Sequence, residues 1–206
     1  MPRQANFRTT YYKSLGVQGK EVEATFASLL QTSVVESLSQ LIHMTLEFGV
    51  PPAYRPTMWC LVGHVLPLVR DAEAEAAVRR EKAIMLADIL MAYRVCFGSD
   101  GDMAALVTFY ITTIRPHLSD SSHNQALTWV MADPLVAPGV IQAIAQVLSD
   151  PMEHFWCSVS FLEHIDRGLS ELMPEIDVAE LYHISPLGLE TIVFRICAAP
   201  LKAETS

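Results

Sequence analysis

Seven histidines and four cysteines are the residues of this 206-residue chain with the most versatile chemistry. Their spacing restricts what they can do. The tightest acidic and histidine groups are Glu153-His154 and Glu163-His164-Ile165-Asp166. His154 and His164 are not an i, i+4 pair, and no HExxH run occurs, so a helical zinc site lacks its ligand spacing. Both read as surface or capping histidines, and no metal ligand is assigned. Cys60, Cys96, Cys157 and Cys197 form no CxxC or CxxH motif, and each has apolar neighbours, as in Trp59-Cys60-Leu61. Four reduced core thiols are expected, not a zinc ribbon or a disulfide framework. A nucleophile elbow (GxSxG), a phosphate loop (GxxxxGK followed by Ser or Thr) and a dinucleotide fingerprint (GxGxxG) are all missing. No catalytic residue and no cofactor-binding residue is assigned.

Charge narrows the partners. Fourteen Lys and Arg stand against 23 Asp and Glu, for a formal charge of −9. A phosphate-backbone binder needs a field of Lys and Arg, so no nucleic acid is expected. No basic cluster suits an anionic membrane surface either. Hydrophobic residues make up 51% and charged residues 18%, enough apolar matter for a real core and too much for disorder. The start, MPRQANFRTTYYK, has no apolar stretch of the kind a secretory signal needs. Residues 58–69 are interrupted by Pro67, and residues 126–148 by Asp133, Pro134 and Pro138, so neither run offers the ~20 residues of a spanning helix. Direct membrane insertion is not expected.

The elements that must position any site are helical. Val22, Phe26, Leu29 and Leu30, then Leu38, Leu41, Ile42 and Leu46, recur at i, i+3 and i+4. Ser33 is a candidate cap between two helices, and Gly49 with Pro51-Pro52 closes the second. Helices are expected over about 55–66, 71–97, 102–115, 138–148, 151–167, 177–183 and 186–197. The long helix over 71–97 shows an apolar stripe (Val78, Met85, Leu86, Ile89, Leu90, Tyr93, Phe97) and a solvated face that includes Arg79, Arg80 and Lys82. The helix over 102–115 is apolar on most sides, so deep burial is expected. Residues 116–134 read as turn-rich, and strand and hairpin signals are missing. The fold class is all-α. Residues 1–20 read as an N-terminal segment, 21–200 as one helical domain and 201–206 as a tail.

The most informative segment is residues 48–67, FGVPPAYRPTMWCLVGHVLP. A proline turn leads into a helix with Trp59, Leu61, Val62 and Val65 on its buried side. Arg55 at the start of that helix opposes the helix dipole, so a carboxylate or carbonyl partner is expected elsewhere in the chain.

Gly49, Pro51, Pro52, Arg55 and Trp59, an RxxxW pattern after a Gly-hydrophobic-Pro-Pro turn, resemble the opening motif of the TBC domain, the all-helical module of Rab GTPase-activating proteins. Residues 154–163, HFWCSVSFLE, resemble a later helix of that family. The resemblance implies a multi-helix TBC (RabGAP-like) fold, apparently shortened at its C-terminal lobe. Active members carry IxxDxxR, whose arginine stabilises the transferred phosphoryl group, and YxQGM, whose glutamine positions the attacking water. Neither pattern occurs here: Arg79, Arg80, Arg94 and Arg115 lack the first context, and Gln125 and Gln142 lack the second. Among relatives without these groups, residues 6–16 (NFRTTYYKSLG), 51–59 and 195–201 are most similar to the small TBC-domain subunits of the tuberous sclerosis complex. That similarity implies a non-catalytic adaptor that binds a coiled-coil (hamartin-like) partner in GTPase control of growth and nutrient (TOR) signalling. It also implies a cytoplasmic location, on lysosomal or other endomembranes through the complex. The runner-up is an active, divergent activator of Rab-type GTPases. Without the resemblance, the residues also fit an unrelated helical scaffold. The helices over 71–97 and 22–48 are the expected partner surface.

Overall fold

Helix-stopping residues divide the chain. A computed structural model describes residues 19–31, 34–69, 71–118, 127, 130, 132–171 and 177–199; the segments 1–18 and 201–206 and the candidate cap Ser33 lie outside them. Helices α1 (Gly19–Gln31) and α2 (Val34–Phe48) pack together, burying Val22, Phe26 and Leu30 from the first and Leu41 and Ile42 from the second. Gly49 ends α2 at φ 71°, and its N–H donates to the Thr45 carbonyl at 2.7 Å. This left-handed cap is strained for any residue with a Cβ. The following turn is closed by the Tyr54 N–H on the Pro51 carbonyl at 2.9 Å.

Helix α3 (Arg55–Val62) then starts with Pro56 in its first turn, where no amide donor is missed. It is shorter than the expected 55–66. The amides of Val65 and Leu66 fold back onto the Cys60 carbonyl (2.8 and 3.0 Å), and His64 takes a φ of 52°. Met58 to Val62 are all buried, so this short helix is core on most sides.

Helix α4 (Ala72–Phe97) is capped by the Asp71 carboxylate, which accepts from the Ala74 N–H at 2.8 Å. It stops at Gly98, with φ 72°. Its buried edge is narrower than the expected stripe. Leu86 and Ile89 are buried, and Val78, Leu90 and Tyr93 half-buried, but Met85 and Phe97 are exposed. Two residues expected in solvent turn inward instead. Arg79 pairs with Glu75 and Glu153, and Lys82 lies 4.7 Å from the centre of the Trp156 ring. Long cationic side chains can lay their stems on apolar surface, which periodicity alone does not show.

The helix expected over 102–115 is three joined pieces. Helix α5 (Met103–Phe109) opens from the Asp102 cap and runs into a π-helical turn (Tyr110–Ile114), which continues as α6 (Arg115–Leu118). The Arg115 N–H reaches back to the Tyr110 carbonyl, the wider i→i−5 pairing. Pro116 therefore falls in the first turn of a new α segment and stops nothing, which corrects the turn-rich reading for 116–118. Leu106, Val107, Phe109, Tyr110 and Ile111 are buried, whereas Thr112 and Thr113 are exposed, so burial is one-sided.

Helix α7 (Val136–Ala145) lies beneath α8 (Pro151–Glu171), the longest-packed element, which touches α3, α4, α5, α7 and α9. A 3-10 turn (Val178–Leu181) precedes α9 (Pro186–Ala198), which opens at the Ser185 cap and packs on α2, α7 and α8. The 3-10 turn replaces the longer helix expected over 177–183. Two glycines allow close approach: Ile196 of α9 occupies the space a Cβ on Gly168 would need, and the backbone of Leu181 and Tyr182 crosses Gly139. The described residues contain no strand, and no helix among them is long and apolar enough to cross a membrane. The fold is all-helical, as the sequence predicts.

The two kinds of glycine should respond differently to alanine. At Gly139 the new Cβ would overlap the Leu181 carbonyl and lie 2.6 Å from the Tyr182 oxygen, both rigid backbone. Gly139→Ala should lower stability by about 2–3 kcal/mol, the cost of overpacking. At Gly98 nothing lies within 4 Å, so only backbone strain remains and about 1 kcal/mol is expected. Thermal unfolding of both variants, with the larger drop at residue 139, checks this.

Candidate functional site

Glu190 of α9 is 2% exposed and is the partner Arg55 lacks locally. Arg55 Nε donates to Glu190 Oε2 at 2.7 Å, and the Trp59 indole N–H donates to the same oxygen at 3.3 Å. The other oxygen, Oε1, accepts the Val50 amide at 3.1 Å. Arg55 Nη2 also donates to the Val50 carbonyl at 3.3 Å. Gly49 and Pro51 fix the direction of the Val50 amide, and Pro52 lies on the exposed side of the turn. Trp59 is fully buried, its ring centre 5.3 Å from that of Phe161 on α8. Of the five residues singled out in the segment, Arg55 and Trp59 bond the buried carboxylate directly, Gly49 and Pro51 flank the third donor, Val50, and Pro52 makes no contact with it. A carboxylate in a low-dielectric core costs several kcal/mol unless it is paired and hydrogen-bonded; here it has three donors. Arg55, held this way, is not presented to an external phosphate. Glu190 itself went unnoticed in the sequence, although a single carboxylate inside the apolar run LGLETIVF was its signal.

The four arginines considered for phosphoryl chemistry are placed differently from one another. Arg79 is held by Glu75 at 3.2 Å and by Glu153 of α8. Arg115 is half-buried on Glu163 of α8, Nε to Oε1 at 2.9 Å. Arg94 meets Asp100 at the exposed end of α4. Arg80 is exposed on the outer face of α4, with no ion pair among the described residues. The four do not converge on one point. Gln142 lies exposed on α7, and Gln125 lies outside the described residues.

The histidines are more buried than expected. His164 is 8% exposed, with its Nδ1 2.7 Å from the Ser160 carbonyl, and His154 Nε2 is 3.0 Å from the Ile141 carbonyl. Burial, ahead of other influences, holds both below the usual histidine pKa of 6.5. No group of three or more His, Cys, Asp or Glu among the described residues could hold a metal ion. Cys60 and Cys157 are buried core thiols with their sulfurs 4.0 Å apart, and burial pushes the Cys157 thiol well up. Cys197 is half-buried, its thiol pushed up to about 11 by burial. Cys96 departs from expectation: α4 turns it outward, so it is exposed.

The two helical segments expected to meet a partner differ in exposure. Most described apolar residues of α1 and α2 pack between these helices or, from α2, on α9, Leu38 lies against the core, and Leu46 alone among the large hydrophobics described there is exposed. On α4, Leu86 faces inward too. The opposite side of α4 carries exposed apolar residues, Ile84 at 57%, Met91 at 66% and Val95 at 81%, with no other described element over them. Its inner edge is clamped by α8, where the Trp156 indole donates to the Lys82 carbonyl at 3.1 Å and stacks edge-on in an aromatic group with Phe155 and Tyr110.

No family model matches the sequence, and no solved structure matches the fold. Among curated proteins, TBC1 domain family member 7 of Homo sapiens is 23% identical over 201 residues, covering 97% of this chain and 67% of that protein. The Bos taurus protein of the same name is 22% identical over 177 residues, covering 85% of this chain and 58% of its own length. The Danio rerio protein is 22% identical, covering 98% and 73%. The chain thus spans roughly three fifths to three quarters of the relatives it matches.

Two outcomes follow from the buried groups. Arg55→Ala should cost about 3–5 kcal/mol, since it strips the countercharge from a buried carboxylate. Pairing it with Glu190→Gln should recover part of the loss, which denaturant titration of the two variants and their combination measures. The histidines set a pH dependence. Their folded pKa values lie below the unfolded 6.5, so below about pH 6.5 the unfolded chain binds protons that the fold refuses. Stability should be level above that pH and fall as pH drops through it. His164→Gln should show a shallower fall between about pH 7 and 5.5 in thermal melts.

Proposed function

We propose that this TBC-domain chain is a non-catalytic adaptor that binds a coiled-coil (hamartin-like) partner. Its setting is a GTPase-regulating complex of growth and nutrient (TOR) signalling, in the cytoplasm and on lysosomal or other endomembranes through the complex. The observation that carries the reading is the state of its arginines. A finger must reach out of the protein to the phosphoryl oxygens. Arg55 is tied to buried Glu190, Arg79 to Glu75 and Glu153, and Arg115 to Glu163. Each is engaged in holding one helix on another. Similarity to proteins named TBC1 domain family member 7 supports the TBC-domain part of the reading.

The partner surface in this reading is the outer face of α4. A partner helix can cover it with anchors at i, i+3, i+4 and i+7 while its flanks meet Arg80, Glu81 and Asp88. One observation favours the runner-up, an active but divergent Rab GTPase activator: Arg80 is exposed and has no ion pair among the described residues.

A panel of GTP-loaded Rab-type GTPases separates the two. The purified chain should leave hydrolysis at its intrinsic rate, and a hamartin-like coiled-coil fragment should co-purify with it. Ile84→Asp should abolish capture while the melting temperature holds. Acceleration of hydrolysis that disappears with Arg80→Ala would establish the runner-up in its place.

A further inference from the structure

The exposed residues along the outer face of α4 have the same spacing read from either end. Its seam residues are Glu73, Ala77, Arg80, Ile84, Asp88, Met91 and Val95, all exposed and separated by steps of three or four. At 100° per residue they fall within about 40° of one line along the helix, over a length of about 33 Å. The steps are symmetric about Ile84. Small Ala77 lies seven residues before it and large, 66%-exposed Met91 seven after; basic Arg80 lies four before and acidic Asp88 four after.

We propose that α4 pairs with α4 of a second copy of this chain, antiparallel, about a two-fold axis at Ile84. In that register Ile84 meets Ile84 of the second copy, and each Met91 packs on an Ala77, large against small. Each Arg80 faces an Asp88, twice by symmetry. The parallel alternative places Arg80 against Arg80 and Asp88 against Asp88, so charge selects the antiparallel pair. An isologous contact needs a self-complementary surface, and this face provides one in both size and charge. The remaining seam charges do not oppose it: Glu73 falls beside Val95 at either end, and Glu81 beside Ala87 on the flank. The inference rests on the uncovered face and its symmetry, not on the adaptor reading. If both hold, the second copy and the partner helix compete for one surface.

Sedimentation equilibrium of the full chain tests the pairing. The parent should move from 22.8 kDa toward twice that mass over a micromolar concentration series. Arg80→Asp alone and Asp88→Arg alone should each stay monomeric, because each sets like charges face to face. Two restorations are expected: the double swap R80D/D88R in one chain, and an equimolar mixture of the two single variants, whose heterodimer again pairs opposite charges. A parent that is monomeric throughout the series overturns the proposal, as does a dimer indifferent to both single swaps. Coiled-coil capture by the same proteins reads the adaptor proposal separately: a dimer that captures no coiled coil leaves the pairing standing, and a monomer that captures one does not.

Discussion

Burying the carboxylate of Glu190 is the constraint on which the arrangement of the chain depends. At 2% exposure this oxygen pair cannot be solvated by water, so its donors must come from the protein. They come from about 130 to 140 positions earlier in the sequence: Arg55, Trp59 and the Val50 amide. Each donor has its own prerequisite. The Val50 amide is aimed by the left-handed Gly49 and the Pro51 turn, and the Trp59 indole by a helix that begins at Arg55 with Pro56 in its first turn. Satisfying one charge therefore fixes the end of α2, the start of α3 and the face of α9 together.

From that junction the rest is packing by α8. Trp59 of α3 lies on Phe161, Arg79 of α4 on Glu153 and Arg115 of α6 on Glu163, all from this one helix. The chain uses cations to tie its outer helices to a central one. These ion pairs between helices are the observation on which the proposed function rests. The surface left over is the outer side of α4, apolar at Ile84, Met91 and Val95 because no element of the described residues lies over it.

Much of this was legible in the sequence. Periodicity with Gly, Pro and Asp signals located Asp71, Gly49 and Gly98 as helix boundaries, since these act through local backbone chemistry. Arg55 declared a missing partner because its charge opposes the helix dipole. What could not be read depended on distant residues. The identity of Glu190 needed the fold, as did the inward turn of Arg79 and Lys82, whose stems are apolar and whose heads find Glu153 and Trp156. Pro116 misled for a different reason: the π-helical turn before it shifts the hydrogen-bond register, and a proline then sits where no donor is required. Leu86 and Leu38 have the same character as Ile84 and Met91, and only packing separates core from surface.

The central claim is that Glu190 joins the Gly49–Trp59 segment and α9 into one cooperative unit. Native-state hydrogen exchange of the Trp59 indole proton and the Val50 amide tests it most directly. If the account is right, both exchange only through the opening that also exposes the amides of α9, with the same free energy and the same denaturant dependence. Exchange of either proton through a smaller, local opening while α9 stays protected would contradict it.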